Sequence, residues 1–294
     1  MSSMKCTIGA TVAIALISSV MQAAPAVAQV PSDLQNPQIE IVYAVPSDAK
    51  FKPIYDRLKQ RQVLEQLALF LSPLRLPSKL TLKADQCGAL TVAYKTASPV
   101  TICYEYIARI EEVAPGDANV IVGPGLSTKE NRGFLRRDDL LVGPVVMVAL
   151  HEVALAVFDI LQVPVWGMKE DAADRIAGFM MAQFGKDVAW KTLLGTGWYL
   201  SQSGITGLGV DFYYVRTLDG RRFYNYLCMA YASDHQTFAF LVRNADLPEN
   251  RAAWCDHDYE QVRLAFQQTI LPYVDQDVLK KVQALKWLEA AKPQ

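Results

Sequence analysis

"VVMVALHEVALAVFDIL", Val145–Leu161, is the stretch on which the fold turns. It belongs to a longer apolar run, Leu140 to Phe158, long enough to raise a membrane span as a reading. Gly143-Pro144 and the His151-Glu152 pair count against that, because ionisable groups at mid-span are costly. A buried central helix is the better reading. Inside such a helix His151 and Glu152 need partners, since an unpaired buried polar group costs about 1–3 kcal/mol. By itself the pair fits either a core histidine satisfied by its neighbours or a metal ligand.

The next segment bears on that choice. "VPVWGMKEDAADRIAGF", Val163–Phe179, ends the first helix at Pro164, turns through Gly167 and starts a second helix. Glu170 and Asp174 are four apart and share a face of it. A short helix–loop–helix folds the second helix back on the first and brings Glu170 towards His151.

Outward from this pair the chain divides. Before it, Ile39 to Val45 reads as a strand, and Pro53 opens a helical stripe that runs to Pro73. Leu80 to Lys83, Leu90 to Thr96 and Val100 to Tyr104 read as three short strands, followed by a helix over Tyr106–Val113. Pro115 to Asp139 reads as loop. After it, helical spacing recurs over Lys169–Phe184, Gly220–Ala232, Gln236–Val242, Glu249–Leu271 and Asp275–Ala290. "SQSGITGLG" lacks phosphate-loop spacing and reads as a flexible connection. Strands first and helices last make an α+β arrangement: a strand-bearing lobe over about 38–137 and a helical lobe over about 138–294, in one domain spanning 29–294.

The 294 residues carry 29 basic and 30 acidic side chains, and 51% are hydrophobic. No basic surplus points to nucleic acid. Lys5, the apolar run Ile8–Met21 and Ala26-Val27-Ala28 together read as a secretory signal cleaved after Ala28. The mature chain is then secreted or periplasmic, with no stable membrane insertion. Cys6 leaves with the signal. Cys87, Cys103, Cys228 and Cys255 remain, an even number that suggests two disulfides in an oxidising compartment. Of the three pairings, Cys87–Cys103 with Cys228–Cys255 closes the shortest loops.

Taken together, "HEVALAVFDILQVPVWGMKEDAADRIA" resembles the core of an uncharacterised family of bacterial metallopeptidases. Its members have H-E-x-x-H, an apolar turn with Pro and Gly, then E-D-x-x-D. "VTICYEY", "LDGRRFYNYLCMAYASD" and "ENRAAWCDHDYEQ" resemble further parts of it, so the likeness runs through most of the mature chain. The resemblance implies a zincin-like fold, supports the local disulfide pairing, and makes zinc the expected cofactor. It makes His151 the first metal ligand, Glu152 the general base that polarises a metal-bound water, and Glu170 the glutamate ligand, with Asp174 behind it.

Two positions depart from the family pattern. Leu155 stands where the second histidine ligand belongs, and leucine binds no metal. Arg216 stands where the family places a histidine suited to stabilising an oxyanion. The other histidines of the chain, His235 and His257, read as surface residues. Without a cation, Glu152 and Glu170 would face each other unfavourably; an arginine at 216 could supply the missing charge. The sequence therefore favours a non-catalytic pseudo-peptidase that holds a peptide or protein in its cleft. The other reading is an active metal-dependent hydrolase with a replacement ligand.

Overall fold

The computed structural model describes residues 31–90, 94–114, 119–120, 135–202 and 219–285. The expected signal segment, Arg216, and "SQSGITGLG" from residue 203 onward lie outside these residues. So do residues 91–93 of one expected strand, most of the 115–139 loop, and residues 286–290 of the last expected helix.

Three parallel strands form the N-terminal sheet in the order β1 (Ile39–Tyr43), β2 (Leu80–Asp85), β3 (Val100–Cys103). Helices α1 (Lys52–Gln60) and α2 (Val63–Leu71) make the crossover between β1 and β2, as parallel pairing requires. Along β2 the side chains alternate, with Leu80, Leu82 and Ala84 buried. Of the strand expected over Leu90–Thr96, the described residues Leu90 and Tyr94–Thr96 carry no strand, and β3 pairs directly with β2. Helix α3 (Tyr104–Val113) follows β3 without a break. Two-residue strands β4 (Asn119–Val120) and β5 (Leu135–Arg136) form a separate antiparallel pair.

The rest is helical. α4 (Arg137–Ile160) is 24 residues long, or about 36 Å. Every residue from Met147 to Phe158 is buried, which explains a helix apolar on all sides. By length and composition Asp139–Ile160 could cross a membrane, yet it is mostly enclosed by the fold. α5 (Lys169–Ala182), α6 (Lys186–Gln202) and β3 pack against it. α7 (Asp219–Ser233), α8 (His235–Arg243), α9 (Glu249–Ala252), α10 (Cys255–Thr269) and α11 (Gln276–Ala284) complete the described chain. The single helix expected over Glu249–Leu271 is divided at Ala253-Trp254, and α10 begins on the disulfide cysteine.

Helix α6 has no counterpart among the sequence expectations. Its "LLGTGW" reads as poor helix, but the glycines serve a close crossing with α4. A Cβ on Gly143 would lie 2.7 Å from both Thr192 O and Thr196 N; one on Gly195 would lie 2.6 Å from Asp139 O. Gly195→Ala should therefore lower the unfolding free energy by roughly 1–3 kcal/mol, even though alanine is the better helix former. Urea denaturation checks this, and an unchanged midpoint would mean that the helices separate freely.

Both disulfides follow the local pairing. Cys87–Cys103 ties the turn after β2 to the end of β3, and Cys228–Cys255 ties α7 to α10. Such bonds indicate an oxidising compartment.

Candidate functional site

The site forms where α4, α5 and α7 meet. α4 stops because Gln162 takes a left-handed conformation (φ 53°) and Val163 N–H turns back to Phe158 O at 2.8 Å. Pro164 prevents its resumption. Gly167 (φ 95°) redirects the chain into α5. Lys169 then pairs back to Asp159 near the end of α4, and Thr96 Oγ1 donates to the same carboxylate at 2.9 Å. Glu170 falls in the first turn of α5, where the partial positive charge of a helix start favours a carboxylate.

His151 is 3% exposed and is gripped at both ring nitrogens. Nδ1 lies 2.9 Å from Asp174 Oδ1 and Nε2 lies 2.8 Å from Glu170 Oε2. Asp174 is equally buried. Arg222, from α7, forks onto it: Nε donates to Oδ2 at 2.7 Å and Nη2 to Oδ1 at 2.8 Å. One turn further along α7, the Tyr226 hydroxyl donates to Oδ1 at 3.3 Å. Gly178 allows α7 this near, since a Cβ there would meet Met229 Cγ at 3.0 Å and Tyr226 Cδ1 at 3.3 Å. Glu152 is buried as well, at 2% exposure, while Glu170 leads outward with its side chain 20% exposed.

The charges adjust to one another. Burial disfavours an ionised carboxyl at Asp174, but the guanidinium of Arg222 and the bond to His151 hold it well below the usual carboxylate range. Burial likewise disfavours a charged His151 ring; its hydrogen bonds to Asp174 and Glu170 outweigh this and push its pKa up to about 9. An imidazolium donating from both nitrogens satisfies both carboxylates. Burial, and then the Asp174 charge, keep the Tyr226 hydroxyl protonated.

This has a measurable consequence for the metal-free protein. The folded-state pKa of His151 lies above its ordinary 6.5. Its contribution is thus complete below pH 6.5 and is lost as pH rises through about 9. The loss should amount to about 3 kcal/mol, seen as a falling urea midpoint between pH 6.5 and 9.5. A flat midpoint would show that the folded ring is not charged.

A family model described as "Putative metallopeptidase" matches residues 43–270. The chain belongs to this family. The match takes in His151, Glu170, Asp174, Arg222 and both disulfides. No curated protein and no solved structure matches.

A metallopeptidase family implies a metal, and a catalytic zinc takes three protein ligands and a water. The described residues do not meet that need. His151 Nε2 and Glu170 Oε2 converge, but Leu155, one turn after His151 and 5% exposed, offers only an isobutyl group. Among the described residues no third His, Cys, Asp or Glu donor joins these two. The one grouping of three such residues is Cys87, Cys103 and Glu105, whose sulfurs are consumed by the disulfide. Glu105 instead accepts the Cys87 and Gly88 N–H groups at 3.0 and 2.8 Å. His235 is exposed, stacked on Tyr231 and 2.7 Å from Asp256; His257 is exposed beside Trp254.

The arginine that enters the described cluster is Arg222. Arg216 lies outside the described residues. Arg222 stands in the Arg-Phe-Tyr-Asn segment, and its spacing of four from Tyr226 placed both on one helix face. That spacing was the available signal, but nothing local to it names Asp174 as the partner.

Proposed function

We propose that this chain is a metal-free member of its family, a binding protein whose former catalytic cleft holds a peptide or protein segment without cutting it. Leu155 is the observation that carries the reading. It removes a ligand, and four of the neighbouring groups pair with one another without an ion: protonated His151 with Glu170 and Asp174, and Arg222 with Asp174. No hydrolytic step is therefore routed through a metal. We read residues 29–294 as one zincin-like domain, exported by a cleaved signal to the periplasm or the exterior. Glu170 would mark the open side of the cleft. The turn just before it offers Trp166, 97% exposed, and Met168, 41% exposed, as apolar contacts for a partner.

Family membership favours a second reading, an active metal-dependent hydrolase whose remaining ligand comes from outside the described residues. One experiment separates the two. The mature protein is purified without chelator, its metal content is measured by mass spectrometry, and cleavage of a denatured protein substrate is followed with and without added zinc. Substoichiometric metal and no zinc-dependent cleavage are expected. About one ion per chain with chelator-sensitive cleavage would sink the pseudo-peptidase reading.

A further inference from the structure

A second face of α4 borders a large cavity of about 1230 Å³. Leu150, Val153, Ala154 and Val157 form this wall, roughly 130° around the helix from His151 and Leu155 at about 100° per residue. The cavity is thus separate from the site described above. Ile176 and Met180 of α5, Phe266 of α10 and Leu279 of α11 continue the apolar surface. Its volume exceeds the roughly 300–1,000 Å³ usual for drug-sized ligands.

The charged lining is unequal in sign. Lys186, Lys191 and Arg263 border the cavity, against Asp187 alone. Arg263 is neutralised by Glu260 at 2.7 Å, and Lys191 lies 3.6 Å from Asp139. Lys186 is exposed and forms no ion pair within 4 Å among the described residues, although its charge is among the causes that lower the Asp234 pKa. A large, half-open apolar cavity with cationic side chains in its lining matches a ligand with hydrocarbon chains and an acidic head. Each buried methylene would add to the affinity, while the lysines would select the head by charge.

We propose that this cavity binds one molecule of an anionic phospholipid, with the acyl chains along α4, α5, α10 and α11 and the head at Lys186 and Lys191. The full mature chain is incubated with vesicles of phosphatidylglycerol, and separately of phosphatidylcholine. It is then re-isolated by gel filtration and weighed by native mass spectrometry. One phosphatidylglycerol per chain is expected, with at least about tenfold preference over phosphatidylcholine. Met180→Trp, which narrows the cavity at α5, should weaken uptake at least about tenfold. Lys186→Glu, at an exposed position, combined with Lys191→Gln, which sets no second carboxylate beside Asp139, should erase the preference for the acidic head. Circular dichroism confirms that each variant is folded.

Four results would overturn the proposal: no lipid carried off the vesicles; equal uptake of both lipids; uptake of free oleate but not of phosphatidylglycerol; or uptake only by a chain shortened to end at Leu285. The last would assign the cavity to the protein's own residues 286–294.

Discussion

Arg222→Met is expected to lower the unfolding free energy by about 3–5 kcal/mol, the cost typical of removing one partner from a buried ion pair. Asp174 is 3% exposed and accepts two hydrogen bonds from this guanidinium. Without it, one carboxylate in the core faces only His151 and the Tyr226 hydroxyl. Removing the carboxylate charge as well should cost less than removing the guanidinium alone, provided His151 Nδ1 and the Tyr226 hydroxyl keep an acceptor. Arg222→Met combined with Asp174→Asn, whose amide oxygen can still accept, should therefore recover part of the loss. Urea denaturation of the three variants at pH 7 measures both effects. A loss below about 1 kcal/mol for Arg222→Met would mean that solvent reaches the pair and screens it.

The second large effect concerns metal. On the metal-free reading proposed above, the natural chain should lose zinc on gel filtration, and Leu155→His should keep about one ion. Positions 151 and 155 are four apart on α4, so an imidazole introduced there faces the same way as His151 and can complete a three-ligand set with Glu170. Without zinc the substitution should destabilise the protein by about 2–5 kcal/mol, since it trades a buried leucine for a polar ring. Added zinc should raise the melting temperature of this variant and leave the natural protein unchanged. Adding Glu170→Gln to it should remove most of the zinc. If Leu155→His folds yet takes up no zinc, Leu155 is not the only obstacle to metal binding.

Sequence patterns reached some of this architecture and missed other parts for physical reasons. The α4–α5 hairpin was legible because its stop and start signals are local: Pro164, Gly167, and acidic residues in the first turn of α5. The spacing of Glu170 and Asp174 placed both on one face. Helix α6 was not legible, because Gly195 and Gly197 lower helix propensity. The reason for Gly195 is a contact with a segment some fifty residues earlier. The strand expected over Leu90–Thr96 rested on β-branched and aromatic residues alone, with no partner strand to test it. At the site, the sequence reading set an arginine, Arg216, beside Glu152 and Glu170; that residue lies outside the described ones, and the arginine they show is Arg222, bonded to Asp174. Arg222 reaches Asp174 across 48 positions of sequence, a distance at which periodicity is silent.

The Cys228–Cys255 bond bears on how this cluster comes together. Arg222 and Cys228 lie on the same helix, and the bond fastens that helix to α10. While the thiols are reduced, α7 is held by packing and by its polar contacts, and the guanidinium that neutralises Asp174 has no covalent anchor behind it. Closing the bond shortens the range of positions α7 can explore before the ions are desolvated. The charge network thus gains a covalent tether to α10 only when Cys228 and Cys255 are oxidised.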